Sequence, residues 1–557
     1  MYSNKKSINI LTALLVKHGI CNAVVCPGSR NAPIVHNLVE CEDIECQSVT
    51  DERSAGFYAL GMAQATHLPV VVCVTSGTAL LNLLPAVAEA YYQHVPLIVI
   101  SADRPPQWID QLDGQTLPQQ HALGRFVKKA VSLPEPHNDE EHWYCNRLIN
   151  EALTATQQHG GGPVHINVPL TEPLYEFTTK ELPDEREISI LYPRNDQRPL
   201  EIVCSKFWQS KKPMIIVGQI SANELMAEDF IGISGFAVVL NESLSIGCGA
   251  CHFDELLCKQ LPKDLLPDFV LYIGNVLVSK RMKQFLRQLP PETPIWAVSE
   301  DEQIHDTFQS LDGVIIGHPA DVLDDLKKHN NQWKSRTTPF FDRWDETLAE
   351  TDEIITTFTP GYSQMAAVQC LESDLENYSD DDYVTHYGNS MAVRLANIFA
   401  THYVYCNRGV NGIEGTLSTA AGFSLTTQQT VYCILGDLSF FYDSNALWNE
   451  DLRGNLRILL LNNGGGGIFE KFEGLKESAA RDRFVMAKHH TSAEGICQSY
   501  HVEYLSAHNM DELKEGINWL QQDQNERPML LEVFTDSAND AKVLKEYYDR
   551  FKMLIIK

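Results

Sequence analysis

The sequence predicts an α/β protein built from three doubly wound, parallel-sheet domains. Two observations carry that expectation. Short apolar runs of strand length alternate with segments of helical period, as expected where helices cover both faces of each sheet. The same alternation then recurs in two further blocks set apart by charged, proline-bearing stretches, and 557 residues exceed what a single core organises.

In the first block, residues 1–182, the runs Val24–Cys26, Ile44–Val49, Val70–Thr75 and Leu97–Ile100 read as strands. Ser54–Ala65 and Leu80–Tyr91 read as helices, and this order implies parallel strands. Pro173 to Pro199, with Pro183 and Pro193 among charges, reads as a linker. A smaller middle block, residues 199–330, has strands at Met214–Val217, Val238–Leu240, Phe269–Ile273 and Ile295–Val298, without a phosphate-binding glycine fingerprint. Asp321–Arg343 reads as a helical connector. The third block, residues 345–557, repeats the alternation, with runs Val431–Leu435 and Ile458–Leu461 flanking a segment long enough for one helix.

A net charge of −29 excludes a nucleic-acid partner as the simplest reading, because binding phosphates needs a basic surface. Any anionic substrate must be drawn in by a local cationic pocket against an unfavourable overall field. No apolar run reaches membrane-spanning length. The amino end lacks a cleavage signature, so a cytoplasmic location without membrane partners is expected. Cysteines such as Cys73, Cys204 and Cys433 lie in apolar runs and read as small core residues of a reducing compartment. Cys248-Gly249-Ala250-Cys251-His252 matches the pattern of covalent haem attachment, a chemistry that normally follows export.

The most informative stretch is Gly436-Asp437-Leu438-Ser439, followed one strand later by Asn462-Asn463-Gly464-Gly465. Each half ends an apolar run. A strand-helix-strand unit therefore brings Asp437 and Asn463 to the same edge of one sheet. A carboxylate, a side-chain amide and a loop carbonyl, with Gly465 the choice by spacing, form an all-oxygen set suited to Mg²⁺ (or Mn²⁺) holding a diphosphate. Read singly, Asp437 would cap a helix and the glycines would loosen a loop. Together the two halves resemble the metal motif of thiamine-diphosphate enzymes. Glu52, in Thr50-Asp51-Glu52-Arg53-Ser54, follows a strand and opens a helix. It is the candidate for the carboxylate that such a cofactor needs at its aminopyrimidine ring, where an apolar setting would favour the protonated acid. Asp51 reads as the helix cap.

Further segments extend the resemblance. Cys26-Pro27-Gly28-Ser29-Arg30-Asn31-Ala32-Pro33, Thr50 to Gly61, Ser101-Ala102-Asp103-Arg104-Pro105-Pro106 and Asp113-Gly114-Gln115-Thr116 lie in the first block. Ser279-Lys280-Arg281 stands out in the middle block. Asn389-Ser390, Asn407-Arg408-Gly409, Gly412-Ile413-Glu414-Gly415 and Gly436 to Phe440 lie in the third. The chain resembles the 2-succinyl-5-enolpyruvyl-6-hydroxy-3-cyclohexene-1-carboxylate synthases of menaquinone biosynthesis, within the decarboxylase branch of thiamine-diphosphate enzymes. Leu438 replaces the glycine of the broader metal motif, as in this subfamily.

The resemblance implies pyrimidine, central and diphosphate domains in that order, and a homodimer or homotetramer with active sites between subunits. It implies decarboxylation of 2-oxoglutarate and a Stetter-like conjugate addition of the resulting succinyl carbanion to isochorismate. Glu52 would be catalytic. Ser390, Ile413, Gly436, Asp437, Leu438, Ser439 and Asn463 would hold the cofactor with Glu52. Asp437, Asn463 and Gly465 would hold the metal. Ser29, Arg30, Gln115, Lys280, Arg281, Arg394 and Arg408 would meet the substrate carboxylates, for which guanidinium groups are suited. Arg104, before two prolines, reads equally as a loop clamp. Ile468 and Phe469 would form an apolar wall. A different thiamine-diphosphate carboligase or a simple 2-oxoacid decarboxylase would share the metal motif and Glu52 but needs fewer cations.

Overall fold

The computed structural model describes residues 1–188, 198–245, 251–330, 337–522 and 525–553. Three sheets, every pairing within them parallel, form its frame. The first holds β1 (Asn22–Val25), β2 (Glu45–Ser48), β3 (Val70–Val74), β4 (Leu97–Asp103), β5 (Lys129–Ser132) and β6 (Val164–Pro169), in the order β2-β1-β3-β4-β6-β5. The second holds β7 (Pro213–Val217), β8 (Val238–Asn241), β9 (Phe269–Ile273), β10 (Ile295–Ser299) and β11 (Leu311–Ile316), ordered β11-β10-β9-β7-β8. The third holds β12 (Tyr383–Tyr387), β13 (Val404–Tyr405), β14 (Thr430–Gly436), β15 (Leu456–Asn462), β16 (Glu503–Ala507) and β17 (Met529–Phe534), ordered β13-β12-β14-β15-β17-β16. Central strands such as β3 and β15 are buried along their whole length, which is why they read as unbroken apolar runs.

Two local expectations are corrected. The helix expected over Leu80–Tyr91 is two, Thr78–Asn82 and Leu84–Gln93. Pro85 has no amide hydrogen to continue the first helix, and its fixed φ suits the opening turn of the second. Between β14 and β15 the single helix is replaced by a short helix, Asp437–Tyr442, and a 3₁₀ turn, Ser444–Leu447.

The first and third blocks share one core. The helix Glu52–Thr66 crosses the helix Thr416–Leu425 at a contact stripped of side chains. A Cβ on Gly61 would stand 2.0 Å from the Thr419 carbonyl oxygen, and one on Gly422 would stand 2.3 Å from that of Tyr58. Polar bonds extend the seam: Tyr58 OH donates to Ala446 O at 2.5 Å, Arg53 Nη2 to Tyr442 O at 2.7 Å and Asn445 Nδ2 to Asp51 at 2.8 Å. The helix Pro339–Thr356 serves two cores. Phe340 and Trp344 complete that of the middle block, and Ile355 enters that of the third.

Candidate active site

All the site residues expected in the third block lie at the carboxyl edge of its parallel sheet, where loops and helix starts converge. β14 and β15 pair with Gly436 opposite Leu461, so Asp437 and Asn463 follow directly on neighbouring strands. Asp437 is buried; its Oδ1 accepts from Leu438 N at 2.7 Å and its Oδ2 from Gly465 N at 2.8 Å. Burial raises its pKa, against the pull of these amides and of His489, whose Nε2 lies 3.3 Å away. A cation would relieve that penalty directly. Asn463 donates Nδ2 to Asp540 at 3.1 Å and so keeps its carbonyl oxygen as an acceptor. Its neighbour Asn462 is structural: it bridges Thr491 O and Glu532 and accepts Gly464 N. Among the described residues no group of three or more His, Cys, Asp or Glu side chains could hold a metal. The donors at hand are one carboxylate, one amide oxygen and the Gly465 carbonyl, a set that suits a divalent ion completed by diphosphate oxygens.

Ser390, with φ +74°, turns the chain from β12 into the helix Met391–Phe399, which carries Arg394. Gly436 caps the helix that begins at Asp437, with Leu438 half-buried and Ser439 buried in its first turn. Ile413 is 42% exposed at the head of its loop, free to face a ligand.

A cavity of about 220 Å³ brings Lys280, Arg281 and Arg394 together with Glu242, Asp254 and Tyr548. Lys280 and Arg281 open the helix Lys280–Arg287, capped by Ser279. Arg281 pairs with Asp254 and stacks 4.4 Å over the Tyr548 ring. Arg394 donates to Ser390 O; burial and then the charge of Arg408 lower its pKa. Arg408 is buried, gives Nη1 to Asn389 at 3.0 Å and leaves Nε without a partner among the described residues. A second cavity shares Met391, Leu395 and Leu544 with the first and adds Asn463, Gly467 and Ile468. This pocket, lined by Lys280, Arg281 and Arg394 and by the carboxyls of Glu242, Asp254 and Glu255, thus adjoins the Asn463 loop. Phe469 does not line it; its ring packs toward Gly466 and Phe472.

In the first block, Ser29, Arg30, Glu52 and Gln115 also follow strand ends, but they line neither cavity. Arg30 is buried and already used, on Leu170 O at 3.1 Å and Glu172 at 3.2 Å. Asp51 caps its helix as expected, accepting Arg53 N and Ser54 N. Glu52 departs from expectation. Its carboxylate is half-buried and accepts Asn82 Nδ2 at 3.1 Å, so its own chain does not supply an apolar enclosure. Glu52 is the first residue of its helix, directly after the edge strand β2. Gln115 is exposed and Ser29 likewise. Arg104 pairs with Asp113 at 3.3 Å and clamps its loop. Of the haem-like pattern, Cys248, Gly249 and Ala250 lie outside the described residues; His252 bonds Asp352 and Ile398 O.

Glu242, Asp254, Tyr548, Asp540 and His489 join these clusters from positions that no motif marks. Asp540 and Tyr548 belong to the last helix, Ser537–Met553, and only packing brings it across the site.

Comparison with known proteins agrees with this geometry. Residues 6–125 match the family described as thiamine pyrophosphate enzyme, N-terminal TPP binding domain, and residues 387–533 match the corresponding C-terminal TPP binding domain. The solved benzoylformate decarboxylase from Polynucleobacter necessarius shares the fold, with a TM-score of 0.71 at 16% identity, covering 96% of this chain and 99% of that one. Fold and site edge therefore define a thiamine-diphosphate-dependent enzyme. The chain is 43% identical to 2-succinyl-5-enolpyruvyl-6-hydroxy-3-cyclohexene-1-carboxylate synthase of Bacteroides fragilis (strain YCH46), over 99% of this chain and 100% of that protein. It is 42% identical to the synthase of the same name from Phocaeicola vulgatus, over 99% of each. The chain belongs to the 2-succinyl-5-enolpyruvyl-6-hydroxy-3-cyclohexene-1-carboxylate synthase family.

Proposed function

We infer that the chain decarboxylates 2-oxoglutarate and adds the resulting four-carbon unit to isochorismate, releasing CO₂ and forming 2-succinyl-5-enolpyruvyl-6-hydroxy-3-cyclohexene-1-carboxylate for menaquinone biosynthesis. The observation that carries this reading is the gathering of Lys280, Arg281 and Arg394 around one cavity beside the Asn463 loop. Both substrates are dicarboxylates, and a strongly acidic protein needs local cations to hold them.

Thiamine diphosphate supplies the carbon nucleophile and electron sink of the reaction. Asp437, Asn463 and the Gly465 carbonyl hold Mg²⁺ or Mn²⁺. Ser390 and the turn from Gly436 through Leu438 to Ser439 hold the diphosphate, and Ile413 supports the cofactor rings. Glu52 would accept or donate a hydrogen bond at the aminopyrimidine and hold a proton at its carboxyl there. Arg394, Lys280, Arg281 and Arg408 bind substrate carboxylates from the third and middle blocks, while Ser29, Arg30 and Gln115 do so from the first. Ile468 keeps water from the reacting carbon, while Phe469 packs on Gly466 and Phe472. The division is a pyrimidine domain over 1–182, a central domain over 199–330 and a diphosphate domain over 345–557. Glu52 and Asp437 of one site come from different subunits of a homo-oligomer, a reading supported by the absence of Glu52 from the cavity that Asn463 lines. The location is cytoplasmic, supported by the use of cysteines such as Cys73 and Cys433 as buried core residues.

The test is mass detection of the succinylated cyclohexene adduct after mixing protein, thiamine diphosphate, Mg²⁺ and both substrates. Turnover of pyruvate in place of 2-oxoglutarate, with no adduct, would count for a different carboligase.

A further inference from the structure

The loop that carries Arg408 and Ile413, between β13 and the helix Thr416–Leu425, is held by its backbone from two sides. From its own block, Asn389 Nδ2 donates to Asn407 O at 2.6 Å and to Gly412 O at 2.7 Å. Asn407 Nδ2 in turn reaches Thr419 Oγ1 at 2.9 Å. From the first block comes Glu89, on the helix Leu84–Gln93 and only 3% exposed. Its Oε1 accepts Gly409 N and its Oε2 accepts Val410 N, each at 2.7 Å. Gln93 Nε2 also donates to Oε1, at 2.6 Å. The approach is close enough to require glycine: a Cβ at position 409 would stand 2.9 Å from Glu89 O and 3.0 Å from Tyr92 Cβ.

Burying a carboxylate between two blocks costs free energy that an apolar side chain of similar size would avoid. What the charge provides is direction. Two charge-assisted bonds to successive amides fix the peptide planes that immediately follow Arg408. Arg408 is itself buried, tethered at Nη1 by Asn389, with Nε unpartnered among the described residues.

We propose that Glu89 is a positioning residue for Arg408: a carboxylate of the first block that locks the 408–410 backbone of the third, so that the guanidinium meets a substrate carboxylate already oriented. This rests on the reading of Arg408 as a carboxylate-binding residue. It also makes the docking of first block on third part of substrate recognition, since the anchor and the arginine lie in different blocks.

The test compares the full-length protein with Glu89→Gln, which keeps the shape but turns an NH₂ group toward one of the two amides. Without cofactor, hydrogen exchange at residues 407–413 should speed up by about tenfold, the scale of one lost hydrogen bond to a charged group, with exchange elsewhere unchanged. With cofactor and both substrates, KM for a dicarboxylate substrate should rise by about tenfold on the same scale while kcat stays within about threefold. Glu89→Asp, which keeps both acceptors, should recover part of the loss. Should Glu89→Gln fail to fold, Gly409→Ala disturbs the same contact from the other side and is expected to give the same local exchange and KM signature. Unchanged exchange at 407–413, or exchange that accelerates throughout the chain with kcat and KM undisturbed, overturns the proposal. A wild-type protein inactive on both substrates overturns the functional reading instead, and local exchange alone then decides the clamp.

Discussion

Glu242 illustrates how a single residue can tune the pocket without being recognisable from sequence. It is 1% exposed, and its two oxygens accept Val278 N at 2.6 Å and Ser279 N at 2.7 Å, which fixes the turn that presents Lys280 and Arg281. Burial, partly opposed by those amides, pushes its pKa up to about 7. The folded state thus retains a proton that the unfolded chain has released. The stability Glu242 contributes is complete below the ordinary carboxylate range and is lost as pH rises through about 7. Urea unfolding of wild type and Glu242→Gln should therefore show a wild-type advantage that is smaller at pH 8 than at pH 5. An advantage that grows with pH would contradict the assignment of burial as the dominant cause.

At the scale of elements, the crossing of Glu52–Thr66 on Thr416–Leu425 decides how the first and third blocks sit together. The backbones approach too closely for any side chain at Gly61 or Gly422. Gly61→Ala would place a methyl group 2.0 Å from the Thr419 carbonyl oxygen. Helices cannot absorb that without separating, so a loss of about 2–3 kcal/mol is expected from the overpacking alone. Equilibrium unfolding in urea checks it, and a variant as stable as wild type would mean the crossing is looser than described. The same seam carries Glu89, so strain there should also reach the Arg408 loop.

For the molecule as a whole, the two halves of the proposed site lie at carboxyl edges of different sheets, and the cavities around Lys280 and Asn463 include none of Ser29, Arg30, Glu52 or Gln115. If one subunit supplies Glu52 and another Asp437, neither Glu52→Gln nor Asp437→Ala chains should turn over substrate alone. Mixed and allowed to exchange, they should recover part of the activity through hybrid sites that carry both intact residues. Absence of recovery after demonstrated subunit exchange would place both residues in one chain's site.

The sequence alone determined the α/β class, the parallel strands and the sheet edge at which Asp437 and Asn463 meet. Those depend on period and on short motifs: the unbroken runs at Val70–Thr75 and Ile458–Leu461, and Gly436-Asp437 with Asn462-Asn463 at strand ends. Asp51 as a cap was legible for the same reason, since a cap satisfies amides only two and three residues away. Tertiary structure decided which cations share a pocket, that Arg30 is bound to Leu170 and Glu172, and that Asp254, Tyr548 and Asp540 stand beside the site. It also decided that Glu89 grips Gly409 from another block. Such contacts join residues from 77 to 320 positions apart, and no local period or spacing encodes them; they exist only once the packing of elements distant in sequence brings them together.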